Sequence, residues 1–275
     1  MIELLKFILL AVIQGISEVL PISSSGHLQI VQEMLGMDTS SLTVSIFLHL
    51  GSLVAMIVFY RKLVFSIIGN SIKYVFKSNE RNDTNKNYLK LLFMIVIACI
   101  PAGLIGLLFK NKIESIFANT IFIGINLIIT GCLLFLQKYI KGKKTLDRMN
   151  WLDAIIIGLF QTIGILPGIS RSGITTIGGK VSKLQDEDAI NFAFLLFIPV
   201  TLGTGLLEVV DIIKGDLVLS SNDILLYIVG IIISGLVTYI ALSLLLKIIK
   251  KGKLHYFAYY CFVVGLAVII WQACK

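Results

Sequence analysis

"WLDAIIIGLFQTIGILPGISRSG", Trp151 to Gly173, decides the fold. Its first part is apolar enough for lipid. It then runs into Pro167, Gly168, Ser170, Arg171 and Ser172. Either Trp151–Leu166 crosses a membrane, or it dips in and returns. Every later segment faces the opposite way in the two cases.

The surroundings make a membrane the right setting. The 275 residues are 57% hydrophobic and 15% charged, with a mean hydropathy of +0.93. A soluble domain carries about 25% charged residues. Charges here gather between long apolar runs, which is the pattern of a polytopic helical membrane protein. Lipid offers the backbone no partners, so the spans are read as helices. The net charge of +8 sits in short connections. It reads as topology and gives no reason to expect a nucleic-acid partner. Cys99, Cys132, Cys261 and Cys274 lie in or at the ends of apolar runs without CxxC spacing, as small buried hydrophobes do. The opening "MIELLKFILLAVIQG" lacks a basic leader and a small-residue cleavage site, so no cleavable signal is expected.

Six runs suffice to cross a bilayer at ~20 residues each. They are Leu42–Phe59, Leu91–Phe109, Asn119–Gln137, Ala189–Leu207, Ile224–Leu246 and Leu254–Cys274. Three connections are basic. Tyr60–Lys90 carries Arg61, Lys62, Lys73, Lys77, Arg81, Lys86 and Lys90. Lys138–Asn150 carries Lys138, Lys141, Lys143, Lys144 and Arg148. The third holds Lys247, Lys250, Lys251 and Lys253. The positive-inside rule puts all three in the cytoplasm. The Glu208–Asp223 connection is acidic and fits outside. If Trp151–Leu166 crossed, the last basic cluster would face out and the acidic connection in. A re-entrant Trp151–Leu166 keeps every basic connection inside, and this reading is preferred.

A second stretch matches the first. "LPISSSG", Leu20 to Gly26, parallels "LPGISRSG", Leu166 to Gly173, which has one extra residue. Gln14 precedes one and Gln161 the other. Each is followed by three crossing candidates. The chain thus reads as two halves, 1–145 and 146–275, each opening with a re-entrant hairpin (about 4–35 and 151–182). Three spans is an odd number, so the halves are inverted. The expected fold is all-α and polytopic: six transmembrane helices plus two re-entrant helix-loop-helix hairpins in an inverted repeat. The second hairpin enters from the cytoplasm, the first from outside, and both termini lie outside. Such repeats place a polar site near the midplane, where covered non-helical backbone is tolerated. Leu63–Val75 is amphipathic and is expected on the cytoplasmic surface. Gly230, Gly235 and Gly265 permit close helix contact, compatible with a homodimer but not specifying one.

The polar residues at the two loops form one candidate constellation. Gln14 and Glu18 share a helix face. A carboxylate at membrane depth costs ~3 kcal/mol and faces a partner; the bland alternative is an interfacial Glu touching water. His27 follows Ser23, Ser24, Ser25 and Gly26, and imidazole accepts or donates protons near neutrality. His49, within an apolar span, and His255, at a basic helix end, read as structural, His49 through a hydrogen bond to a neighbouring helix. Ser170, Ser172 and Gly173 repeat the serine–glycine pattern before a second helix start. Helix starts suit phosphate, although a serine there is also an ordinary cap. Arg171 offers a fixed, forked cation. One guanidinium, one carboxylate, one imidazole and several hydroxyls suit a phosphorylated substrate, with Glu18 available to a divalent cation.

At these residues the sequence resembles the undecaprenyl-diphosphate phosphatase family linked to bacitracin resistance. The resemblance covers nearly the whole chain. It rests on Gln14 and Glu18, on "LPISSSGH" (Leu20–His27), on "PGISRSGIT" (Pro167–Thr175), and on "FLHLGSLVA" and "FAFLLFIP". Where some members have a glutamate, this chain has Gln14. The resemblance implies hydrolysis of a polyprenyl diphosphate lipid to the monophosphate and inorganic phosphate at a bacterial plasma membrane. That recycles the carrier used for peptidoglycan. It further implies a divalent cation, Mg²⁺ or Ca²⁺, at Glu18, and a site opening outward. Glu18, Ser24, His27 and Arg171 are then the catalytic candidates: Arg171 the clamp, Glu18 the metal holder or activator, Ser24 the nucleophile or phosphate ligand, His27 the proton shuttle or itself the nucleophile. Gln14, Ser23, Ser25, Gly26, Ser170, Ser172, Gly173 and Thr175 are the substrate-binding candidates. A lipid-phosphate flippase built on the same inverted repeat is the rival reading, and a hairpin-lined channel a further one.

Overall fold

The computed structural model describes residues 2–37, 43–109, 119–214, 221–250 and 253–275. Among these residues there are eleven α-helices and no strand. They are α1 (Ile2–Val19), α2 (Ser24–Met34), α3 (Thr43–Phe59), α4 (Arg61–Phe76), α5 (Asp83–Leu108), α6 (Thr120–Leu136), α7 (Trp151–Ile163), α8 (Arg171–Val181), α9 (Asp186–Lys214), α10 (Ser221–Lys250) and α11 (Tyr256–Ala273). Of the acidic stretch expected outside, Glu208–Asp223, residues 215–220 lie outside the described residues.

Both hairpins return to where they start. In the first, Pro21 lacks an N–H and ends α1, and Ser23 caps α2. Lys6 Nζ near the start of α1 donates to Leu35 O just past the end of α2, at 2.7 Å. In the second, α7 has 13 residues, about 20 Å of helix at ~1.5 Å per residue, too short for a ~30 Å hydrocarbon core. Lys144 closes its base. Its Nζ reaches both carboxylate oxygens of Asp153 in α7 at 2.8 Å. Its backbone pairs with Lys183 O (2.9 Å) and Gln185 N (3.0 Å) beyond α8. The dip-and-return reading of Trp151–Gly173 is thus what the chain does.

The two bases lie at opposite ends of α6. Glu33, near the end of α2, accepts from Thr120 at the start of α6. It also accepts from Gln272 (2.7 Å) and Lys275 (2.8 Å) at the end of α11. Lys144 instead follows the far end of α6 by a short connection. The tips meet between these levels. A Cβ on Gly26 would lie 3.1 Å from Gly168 Cα, and one on Gly173 would lie 3.2 Å from Pro21 Cβ. α6 fastens the second tip: Asn126 Nδ2 donates to Pro167 O (2.7 Å), Thr130 Oγ1 to Gly168 O (3.0 Å), and Ser170 N to Thr130 Oγ1 (3.1 Å).

Each hairpin packs on a long helix of the other half. In α1, Gly15 lies against Val237 and Ser234 O of α10; in α7, Gly158 lies against Ala98 O of α5. α6 and α11 approach through Gly124 and Gly265, each facing the other's carbonyl. Small residues are what allow such close approach. The three glycines expected to permit close helix contact do so within the chain: Gly230 on Leu48, Gly235 on Gly51, Gly265 on Gly124. Apolar clusters fill the gaps, one joining Val19, Met56, Phe194, Phe197 and Leu242, another Ile95, Ala98, Ile157, Phe192 and Leu196.

Among the described residues, five helical stretches are long and apolar enough to cross alone: Asp83–Leu108, Thr120–Tyr139, Asp186–Leu207, Ile224–Ile249 and Tyr256–Ala273. The sixth expected span differs. α3 has 17 residues and passes the same test only with α4, from which it is bent by 75°. α4 covers the amphipathic Leu63–Val75 stretch and buries Ile67 beside Met94 and Ile95 of α5. α5, α9 and α10 run past their apolar stretches. Hydropathy marks only lipid depth, while the helix continues to its cap, as at Asn82, whose side chain accepts from Asn85 N.

Candidate functional site

The two hairpin tips present matched helix starts. Ser23 caps α2 and its Oγ accepts from Gly26 N at 3.3 Å. Ser170 caps α8 and its Oγ accepts from Gly173 N at 3.2 Å. Ser23 Oγ lies 3.4 Å from Ser25 Oγ, and Ser170 Oγ lies 3.3 Å from Ser172 Oγ. The extra residue of the second tip, Gly168, takes φ +86°, where a Cβ would also meet Ile123 O at 2.6 Å. In the first tip Ser23 itself carries the positive φ, 70°.

This register puts Ser24 and Arg171 in equivalent places, each the first residue of its helix. Both bond Glu18. Ser24 Oγ donates to Glu18 Oε2 at 2.6 Å. Arg171 Nη2 donates to Glu18 Oε1 at 2.7 Å. Gln14, one turn back along α1, adds Nε2 to Oε2 at 2.7 Å. Glu18 is 8% exposed and Gln14 fully buried. The carboxylate is therefore the point where the two hairpins join. The Arg171 guanidinium stacks 4.7 Å from the centre of the Phe197 ring, a contact suited to a planar cation.

His49 completes the cluster: the sequence reading assigns it a structural hydrogen bond to a neighbouring helix and does not place it in the site. Its Nε2 stands 2.9 Å from Glu18 Oε2. Its Nδ1 is 2.6 Å from Ser45 O. A carbonyl only accepts, so Nδ1 carries a proton. A proton must then lie between Nε2 and Oε2, shared by ring and carboxyl. In the ion-pair form Glu18 thus sits between imidazolium and guanidinium. One signal was available: an ionisable residue inside an apolar span has a partner.

His27 stands elsewhere. Its Nδ1 donates to Ser23 O at 2.8 Å, and its Nε2 accepts from the Tyr260 hydroxyl at 2.8 Å, with the rings stacked. Both ring nitrogens serve to hold the cap of α2 against α11. The structure brings Gln14, Glu18, Ser24 and Arg171 together directly. It places Ser23, Ser25, Gly26, Ser170, Ser172 and Gly173 at the two helix starts. Thr175 is one turn along α8, 1% exposed, with its hydroxyl unpartnered.

The donor set bears on a divalent cation. No group of three or more His, Cys, Asp or Glu suited to a metal occurs among the described residues. Glu18 is the one carboxylate here and already has four partners. Gln14 Oε1 is buried without a partner, an oxygen of the kind Mg²⁺ and Ca²⁺ take. The oxygens these residues offer a cation are those of Glu18 and the free Oε1 of Gln14.

Undecaprenyl-diphosphatase of Alkaliphilus metalliredigens is 40% identical, over 97% of this chain and 98% of its own. Undecaprenyl-diphosphatase 1 of Bacillus licheniformis is 38% identical over 97% of each chain. Undecaprenyl-diphosphatase of Oceanobacillus iheyensis is 35% identical, over 97% and 96%. The family described as bacitracin resistance protein BacA matches residues 7–267, and with the hairpins meeting at Glu18 over that same length, the chain belongs to this family.

Proposed function

We propose that the chain is an integral membrane phosphatase that hydrolyses undecaprenyl diphosphate to undecaprenyl phosphate and inorganic phosphate. It thereby returns the lipid carrier to peptidoglycan synthesis and confers bacitracin resistance. One observation carries the reading: Glu18 is held between a hydroxyl at one helix start and a guanidinium at the other. That is a nucleophile beside its base, with a fixed cation opposite.

Arg171 spends one N–H on Glu18 and keeps others for the diphosphate, which the two helix starts also favour. Ser24 Oγ attacks the terminal phosphorus, and Glu18 takes its proton. The anhydride P–O bond breaks, and undecaprenyl phosphate leaves with that proton, which restores the carboxylate. Water then attacks the Ser24-bound phosphorus, Glu18 takes the water's proton and returns it to Ser24 Oγ as the Ser24 O–P bond breaks, and inorganic phosphate leaves. His49 and Gln14 fix the Glu18 oxygens throughout. Glu18 and Gln14 Oε1 are the proposed donors to Mg²⁺ or Ca²⁺, which when bound supplies charge neutralisation on the phosphate oxygens. Ser25, Ser172 and Thr175 are proposed to bond phosphate oxygens, and His27 to set the α2 start through Ser23.

The two halves are read as inverted repeats, with the basic connections in the cytoplasm and the site and both termini on the outer side. A second copy is not needed to complete the site, because every contributor comes from one chain. Phosphate release from a polyprenyl diphosphate by purified protein tests the reading, with and without chelator. Wild type releases phosphate; chelator and Glu18→Ala abolish release, and Arg171→Lys lowers it by about a hundredfold, the scale of a lost transition-state donor. A flippase alone would release none.

A further inference from the structure

A second polar cavity, of about 90 Å³, lies at the base of the second hairpin. That is room for several waters or one tetrahedral oxyanion. It sits at the other end of α8 from Arg171, where α9, α10 and the residues just after α6 and just before α11 also contribute. Lys180, at the end of α8, is 4% exposed and lines it. Its Nζ gives one N–H to Asp186 Oδ1 at 2.9 Å, leaving two. Gln137 also lines it and is 3% exposed. Its side-chain amide makes no hydrogen bond among the described residues and is not sealed from solvent, so it is open to a ligand or water in the cavity.

The charge and shape specify the ligand. Asp186 cancels Lys180, and Lys138 at the rim leaves the lining net positive. His255 adds an imidazole edge. Ile190 and Ile249 form an apolar flank beside these donors. Cationic and amide N–H groups around a small volume, with hydrocarbon alongside, suit a phosphate monoester at the membrane surface.

We infer that this cavity is a second anion site, binding a phosphate monoester through Gln137 and Lys180 at the basic end of the bundle. The ligand is free phosphate or the headgroup of a lipid monophosphate. The site is separate from the Glu18 cluster and does not depend on the hydrolytic reading.

Calorimetric titration of the full chain in detergent tests it, in an Arg171→Ala background that disables the first site. The probes are inorganic phosphate and a short-chain polyprenyl monophosphate. Saturable binding of either probe is expected to persist, and to weaken at least tenfold on adding Gln137→Leu or Lys180→Met. Binding of both probes identifies phosphate as sufficient; binding of the lipid alone identifies a headgroup site. Loss of all saturable binding in Arg171→Ala, or binding untouched by both added substitutions, overturns the proposal. Phosphate release by Gln137→Leu in the wild-type background confirms that the variant is folded. Wild-type release, measured separately, keeps failure of this site distinct from failure of the phosphatase reading.

Discussion

Glu18 shows how much a single residue discloses in an apolar chain. A carboxylate that lipid penalises must have partners, and Arg171 and Ser24 were legible for the same reason: polar groups where hydrocarbon is the norm. His49 was legible only as far as needing some partner, because "FLHLGSLVA" offers no loop or cap beside it and the residue it meets, Glu18, lies on another helix. His27 is the converse case. It stands next to the serines in sequence, yet its ring turns to Ser23 O and Tyr260. These placements separate the two histidines by experiment. Glutamine at position 49 can still donate to Glu18, whereas leucine leaves the carboxylate one partner short. A hydrogen bond to a charged group is worth ~1.5–3 kcal/mol. His49→Leu is therefore expected to lower kcat by about 10- to 100-fold with KM little changed, and His49→Gln to recover most of it. Steady-state phosphate release measures both; equal losses in the two variants would reduce His49 to packing.

At the scale of elements, the hairpins were readable because proline, glycine and serine interrupt apolar runs and because charge forbade a full crossing. What closes them was not. Lys6 to Leu35 O and Lys144 to Asp153 join residues that only the folded chain brings together. The bend between α3 and α4 was likewise only half visible, as amphipathicity without an angle. Interhelical fit is the least legible feature, since a glycine's neighbour cannot be read from its own segment. A Cβ on Gly51 would lie 2.3 Å from Ile231 O of α10, while one on Gly69 in α4 meets nothing within 4 Å. Gly51→Ala is expected to destabilise by about 1–3 kcal/mol through overpacking. Gly69→Ala is expected to be neutral or to stabilise by up to about 1 kcal/mol through helix propensity. Thermal unfolding in detergent distinguishes them; equal melting temperatures would mean that α3 and α10 are not in this contact.

The whole molecule is two hairpins held tip to tip by helices of the opposite half. Lys275 bonds Glu33, and Lys6 bonds Leu35, so both chain ends share one end of the bundle. Lys144 marks the other end. The proposed orientation predicts that a membrane-impermeant thiol reagent labels Cys274, which is exposed, in intact cells. Lys141→Cys, in a Cys274→Ala background, should be labelled only after lysis; the reverse pattern would invert the protein and move the site inward. Above either orientation stands the convergence of the tips, on which Glu18 and Arg171 depend. Its most direct test is a cross-link between them. Cβ atoms at positions 21 and 173 lie 3.2 Å apart, within a few tenths of an ångström of the ~3.5–4.5 Å that a disulfide spans. In a background with Cys99, Cys132, Cys261 and Cys274 replaced by alanine, Pro21→Cys/Gly173→Cys is expected to oxidise to an intramolecular disulfide, seen as a linked peptide pair by mass spectrometry. Two free thiols after oxidation, in a protein whose single-cysteine variants still release phosphate, would contradict the account.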